Sequence, residues 1–182
     1  NSGSLAISAQ AALGSGSVTF NGGALRILGT SMQGLSSSYT WNSGSFDIAD
    51  PENTFTLTAG QSIGTGSLTK LGDGTLVIND EVESTTIDIQ YGELVLADTA
   101  PQLTGANQSV IIRGIDAEEA SEGRVAALLT INDHNETIGS LTMSGGALAS
   151  GTGTVTLNGS LSYSSPKSAA TISGNGRGRL RT

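Results

Sequence analysis

The chain has 182 residues, of which 26 are glycine and three proline; cysteine is absent, and only 13% of residues are charged and 4% aromatic. The formal net charge is −8. Without Cys there is no disulfide framework, thiolate metal site or Cys nucleophile, and the acidic balance argues against a nucleic-acid backbone as partner.

In chain order, short apolar bursts predict strands around 5–8, 17–20, 24–28, 45–48, 54–58, 67–71, 75–79, 85–89, 93–97, 109–113, 126–131, 140–143, 154–157, 160–164 and 169–173. Their alternation of apolar and small polar residues is that of half-buried strands. Glycine every few residues disfavours helix, and 36% hydrophobic residues with little charge is not the composition of a disordered chain. No apolar run approaches the roughly 18 residues of a membrane helix. The first ten residues lack a signal-peptide layout, so the chain is either cytosolic or an excerpt whose targeting segments lie elsewhere.

Four stretches share one unit: an apolar–Thr–apolar burst, a Gly turn and a new burst. They are Ser17–Leu25, Ser67–Leu76, Ser140–Leu148 and Thr154–Leu161. A second pair is Leu76–Asp80 and Leu129–Asp133, each followed by Thr-Ile at Thr86-Ile87 and Thr137-Ile138. Strands this short bury little as isolated hairpins, but stacked as coils each covers the apolar residues of the one before. Coils of about 20 residues are common in solenoids. The expectation is one all-β segment over 1–182, a right-handed parallel β-helix of about eight or nine rungs spaced about 4.8 Å. The alternative is an antiparallel sandwich with turns at Asn21-Gly22, Asp73-Gly74 and Asn158-Gly159. The acidic stretch 114–124 reads as a loop inserted at a corner.

At 53–96 the pattern becomes specific. Phe55-Thr56-Leu57, then Gly66-Ser67-Leu68-Thr69-Lys70-Leu71-Gly72-Asp73-Gly74-Thr75-Leu76, then Gly92-Glu93-Leu94-Val95-Leu96 resembles the autotransporter-associated β-strand repeat. The resemblance rests on Leu68, Lys70, Gly72, Gly74, Leu76, Gly92 and Leu94; Asn79–Ser84 departs from the turn usual in that repeat. It implies a parallel β-helix from an autotransporter passenger, at the cell surface or secreted. The implied partners are flanking β-helix rungs and a C-terminal outer-membrane β-barrel of the same polypeptide. A chain without Cys suits threading through an oxidising periplasm.

Catalytic sets are not found. The single His134, in Asn132-Asp133-His134-Asn135-Glu136, reads as a solvated corner residue, since no Gly-Asp-Ser-Gly nucleophile turn accompanies it. The carboxylate groups Asp80, Glu81, Glu83 and Asp116, Glu118, Glu119, Glu122 read as solvated corners, and Gly72-Asp73-Gly74 occurs once, too few for a calcium-binding repeat. Lys70 stands where the aligned units carry Phe20, Met143 and Leu157, which predicts a bulge that buries Leu71 and turns Lys70 to solvent. Trp41 either caps the core or, with Tyr39, forms an adhesive contact. The basic tail Arg177-Gly178-Arg179-Leu180-Arg181 reads as the start of another rung.

The expectation is thus a non-enzymatic stalk without cofactor or metal, which presents or forms an adhesive surface. Its ligand would be a second copy, a host or matrix component, or a glycan. The alternatives are a β-helix polysaccharide lyase or hydrolase fragment, and a spacer without ligand.

Overall fold

A computed structural model describes residues 3–105, 107–164 and 167–174, with 179–180 as backbone. The chain opens with β1 (Ser4–Ile7), a 3-10 turn at Gln10–Leu13, and two long strands, β2 (Val18–Ile27) and β3 (Tyr39–Ile48). A regular series follows: β4 (Thr54–Leu57), β5 (Leu68–Leu71), β6 (Thr75–Ile78), β7 (Thr86–Ile89), β8 (Glu93–Leu96) and β9 (Ser109–Ile112). After helix α1 (Ala117–Ser121) come β10 (Leu128–Ile131), β11 (Glu136–Ile138), β12 (Ser140–Met143) and β13 (Gly146–Ala149). The last described strands are β14 (Val155–Leu157), β15 (Leu161–Tyr163), β16 (Ala170–Ser173) and β17 (Arg179–Leu180).

Every pairing among these strands is parallel. The first sheet holds eight strands in the order β1-β2-β3-β5-β7-β9-β12-β15, and the second six, β4-β6-β8-β10-β13-β16. The third face is β11-β14-β17, extended toward the N-terminus by the single bridges Ile63–Val82 and Val82–Leu103. Each turn visits the faces in that order, so the molecule is a parallel β-solenoid of about eight turns. The antiparallel sandwich is excluded.

The interior follows from the two-residue period. In Thr75-Leu76-Val77-Ile78 the second and fourth residues are fully buried and the others half-exposed. Register then stacks like on like: Phe55, Leu76, Leu94, Leu129 and Leu148 form one column under the second sheet. Burying each such side chain contributes about 1.5–3 kcal/mol. At the corner between the first and second sheets, Gly72 (φ 73°) and Gly92 (φ 65°) take the left-handed conformation. A Cβ on either would collide with backbone of the coil below.

Two details differ from the sequence expectation. Strands 17–20 and 24–28 fuse into β2, with a bulge against β3 around Asn21, so Asn21-Gly22 is not a hairpin turn. The Thr154–Leu161 unit, aligned with Ser140–Leu148, lies elsewhere on the coil: β14 belongs to the third face, whereas β12 belongs to the first. The same alternating pattern serves every face, so pattern alone does not locate a segment around the coil. Of the basic tail, Arg179-Leu180 pairs in parallel with Thr156-Leu157, while Arg177, Gly178 and Arg181 lie outside the described residues.

Candidate functional site

Neither candidate for adhesive contact is presented to solvent as an open aromatic surface. Trp41 is 8% exposed, because β3 begins at Tyr39 and turns the indole inward. It stacks on Phe46 at 5.5 Å between ring centroids and packs on Phe20 at 4.9 Å. Tyr39 is partly buried, and its hydroxyl donates to the Gln61 carbonyl at 2.7 Å. Burial, with the charge of Asp80 behind it, pushes the Tyr39 phenol well above its usual range. These rings form the core of the first coils.

The motif residues Leu68, Leu76 and Leu94 point into the core as expected, but Lys70 is corrected. No bulge interrupts the register: Lys70 lies between Phe46 and Ile89 in the inward column of the first sheet, fully buried, while Leu71 faces outward. Its ammonium donates to the carbonyls of Leu71 (2.9 Å), Gly72 (2.8 Å) and Tyr91 (3.1 Å), joining the corners of two successive coils. Burial lowers the Lys70 pKa to about 7, against the pull of Asp47 and Asp73.

Outside the same corner lies the insertion. Tight corners connect β5 to β6 and β7 to β8, but between β9 and β10 the chain runs through 113–127 and forms α1. Asp116 and Glu119 make a capping box at its start. The segment folds back along the shaft. Arg124 pairs with Asp73 at 2.7 Å, Val125 N–H donates to the same carboxylate at 2.8 Å, and the guanidinium lies 3.7 Å over the Tyr91 ring. Glu119 accepts from the Tyr91 hydroxyl (2.7 Å) and from Lys167 (2.9 Å). The Asp116 backbone N–H, Lys167 and Tyr91 together hold the Glu119 carboxyl down at about 2. Arg113 closes a two-point pair with Asp88 at 2.7 and 2.8 Å. Residues read from the sequence as solvated corner charges therefore form a clasp across several coils.

His134 is a second correction. It is buried, and Nε2 contacts Glu136 Oε1 at 2.8 Å. The buried Glu136 carboxylate also accepts from the backbone N–H groups of Gln102 (2.6 Å) and Leu103 (3.0 Å). The sequence signal for this was Glu136 at a position whose alternation with Ile138 points inward. A carboxylate that needs four lone-pair partners finds three donors here, which fixes the third face but brings no nucleophile.

Among the described residues no group of three His, Cys, Asp or Glu side chains is placed to hold a metal ion, and no helix is long and apolar enough to cross a membrane. Comparison with protein-family models, with curated proteins and with solved structures found no match.

Proposed function

We propose that the chain is a stretch of non-enzymatic shaft from an autotransporter-type passenger, which holds an adhesive outer surface away from the cell. The observation that carries this reading is a continuous stack of coils whose inward column, among the described residues, ends in exposed apolar side chains. Among the described residues the edge strands β1 and β15 each pair on one side only, and Leu5 at one edge and Leu161, Tyr163 and Ile172 at the other are exposed. Flanking coils of the same polypeptide would cover these residues, and a C-terminal outer-membrane barrel would deliver them. The Gly66–Leu76 stretch that resembles the autotransporter repeat gives further support, since it forms the tight first-to-second-sheet corner from which the ladders continue in both directions. So does the absence of Cys. Adhesion would come from many weak contacts along the outer faces.

The test is display of this chain on Gram-negative cells through a heterologous barrel. Cells carrying it should attach to matrix or to one another, and the attachment should change with ionic strength because the corners are charged. Attachment unaltered by salt and by deletion of the chain would count against adhesion. Release of reducing ends or unsaturated products from acidic polysaccharides would count against the non-enzymatic reading.

A further inference from the structure

The outward side of the second sheet differs in charge from the other faces. On the first sheet the outward residues include Arg26, Asp47 and Asp88, and on the third face Glu81 and Glu83 stand exposed on either side of the bridged Val82. The outward positions of β4, β6, β8, β10, β13 and β16 hold Thr, Ser, Ala, Val and Leu, with Glu93 as their single ionisable side chain among the described residues. Glu93 is half-buried and accepts from Thr130 Oγ1 at 2.6 Å, so part of its hydrogen bonding is met within the face. At the centre Thr75, Val77, Val95, Leu128, Ala147 and Ala149 are half-exposed. They fall into two straight files, because β6, β8, β10 and β13 pair without a register shift. Apart from Glu93 none of these side chains is longer than Leu, and the face is low and even.

The occupant follows from charge and from spacing. A chain of net charge −8 repels a second copy of itself. That repulsion is smallest where neither copy brings an array of ionised side chains to the contact. The files repeat at the coil spacing of about 4.8 Å, and a second copy brings the same repeat. Its methyl and hydroxyl rows therefore fit between those of the first along the whole face, as in paired sheets about 10 Å apart. A partner of another period matches at single points only.

We propose that the second sheet is the face through which two copies of this chain associate, related by a two-fold axis across the shafts, so that they run antiparallel as shafts from facing cells would. The proposal rests on the adhesive reading above and names its partner. Six strands about 4.8 Å apart, each of four residues of about 3.3 Å, give a footprint of roughly 300 Å² per copy. A stable interface takes roughly 800 Å² per partner. This stretch therefore associates weakly by itself, and strength comes from the number of coils engaged.

The test follows amide chemical shifts of the whole chain from micromolar to millimolar concentration, at low and at high salt. Val77, Val95 and Ala147 should shift with concentration, and Thr69 and Thr142 on the first sheet should not. Association should tighten with added salt, which screens the repulsion between two acidic chains. Val95→Glu and Val95→Lys should each weaken it about tenfold or more, since both copies then carry a charge into the contact. Thr69→Glu, which adds a charge on the first sheet instead, should change it less than about twofold; melting curves establish that the variants fold. Absence of any concentration dependence, shifts confined to the first sheet or the corners, weakening with salt, or tighter association of the Val95→Lys variant would each overturn the proposal. Displaying cells separate it from the shaft reading. Attachment to matrix alone, or cell–cell attachment unchanged by Val95→Glu, would sink the face; wild-type cells that attach to nothing would sink the shaft reading.

Discussion

Lys70 and Glu136 both carry ionisable side chains, both are enclosed and both lie at strand ends next to a corner of the coil, yet they answer opposite needs. Lys70 meets only carbonyl oxygens, those of Leu71, Gly72 and Tyr91. Glu136 meets only donors, the N–H groups of Gln102 and Leu103 and the ring of His134. The ladders of a solenoid satisfy backbone groups along its faces, but at a corner the chain turns away from its neighbours and leaves peptide groups pointing inward. Which sign is needed depends on whether carbonyls or amides turn in. Carbonyls do so more often here: Asn53, Gln102 and Gln108 each use a side-chain NH2 to bridge two corner carbonyls of an earlier coil. Polar residues inside this shaft are thus fasteners between coils.

The sharpest way to break the comparison is Glu136→Ala. It strands two buried amides and His134, and should cost about 3–5 kcal/mol of unfolding free energy by urea titration, since each buried donor left without its acceptor costs about 1–3 kcal/mol. Lys70→Met should cost about 1–3 kcal/mol, the desolvation of carbonyls left without donors, and its cost should depend on pH. The folded Lys70 pKa, about 7, lies below its ordinary value of 10.5, so between those values the unfolded chain binds more protons. This group's contribution is therefore complete above the unfolded value and is lost as pH falls toward 7. The gap between wild type and Lys70→Met should widen from pH 7 to pH 10. A constant gap would mean that the amine does not titrate inside the fold. Tyr39→Phe removes a hydroxyl bonded to Gln61 and should cost about 1 kcal/mol. Smallest is Asp73→Asn, which loosens Arg124 at the surface. A shift in melting temperature equivalent to under about 1 kcal/mol is expected, fading at high salt.

Much of the shaft was legible because alternation and register agree. From Phe55 to Leu148 alternate residues of each burst line the interior, with Leu71, expected inside, facing outward instead, and the parallel stack follows from strands too short to bury themselves. The fastening residues were not legible. Lys70 was assigned to solvent because a cation at an inward position looks like an error until the inward carbonyls are known, and those depend on backbone direction at Gly72 and Tyr91. His134 failed for the same reason: its partner is two residues away, but what makes that pair worth burying is backbone at Gln102 and Leu103, on another coil. The clasp was hidden because Asp73 and Arg124 are far apart in sequence and meet only once the insertion folds back. Trp41 stays open between core and surface in the sequence because its own segment does not repeat the aligned unit, although the fold sets it in register with Phe20 of that unit.

The central claim is that successive coils stack in one parallel direction, with outward residues in straight files. One file runs through Ser45, Thr69, Asp88, Ile111, Thr142 and Ser162, neighbours in register on the first sheet. Because the chain has no native cysteine, spin labels on Ser45→Cys and Ser162→Cys report this file alone. Five steps of about 4.8 Å place the two backbones about 24 Å apart, and the account predicts a single narrow distance distribution near that value. A distribution centred below about 12 Å, or one spread broadly with no dominant distance, would contradict the stacked shaft and everything built on it.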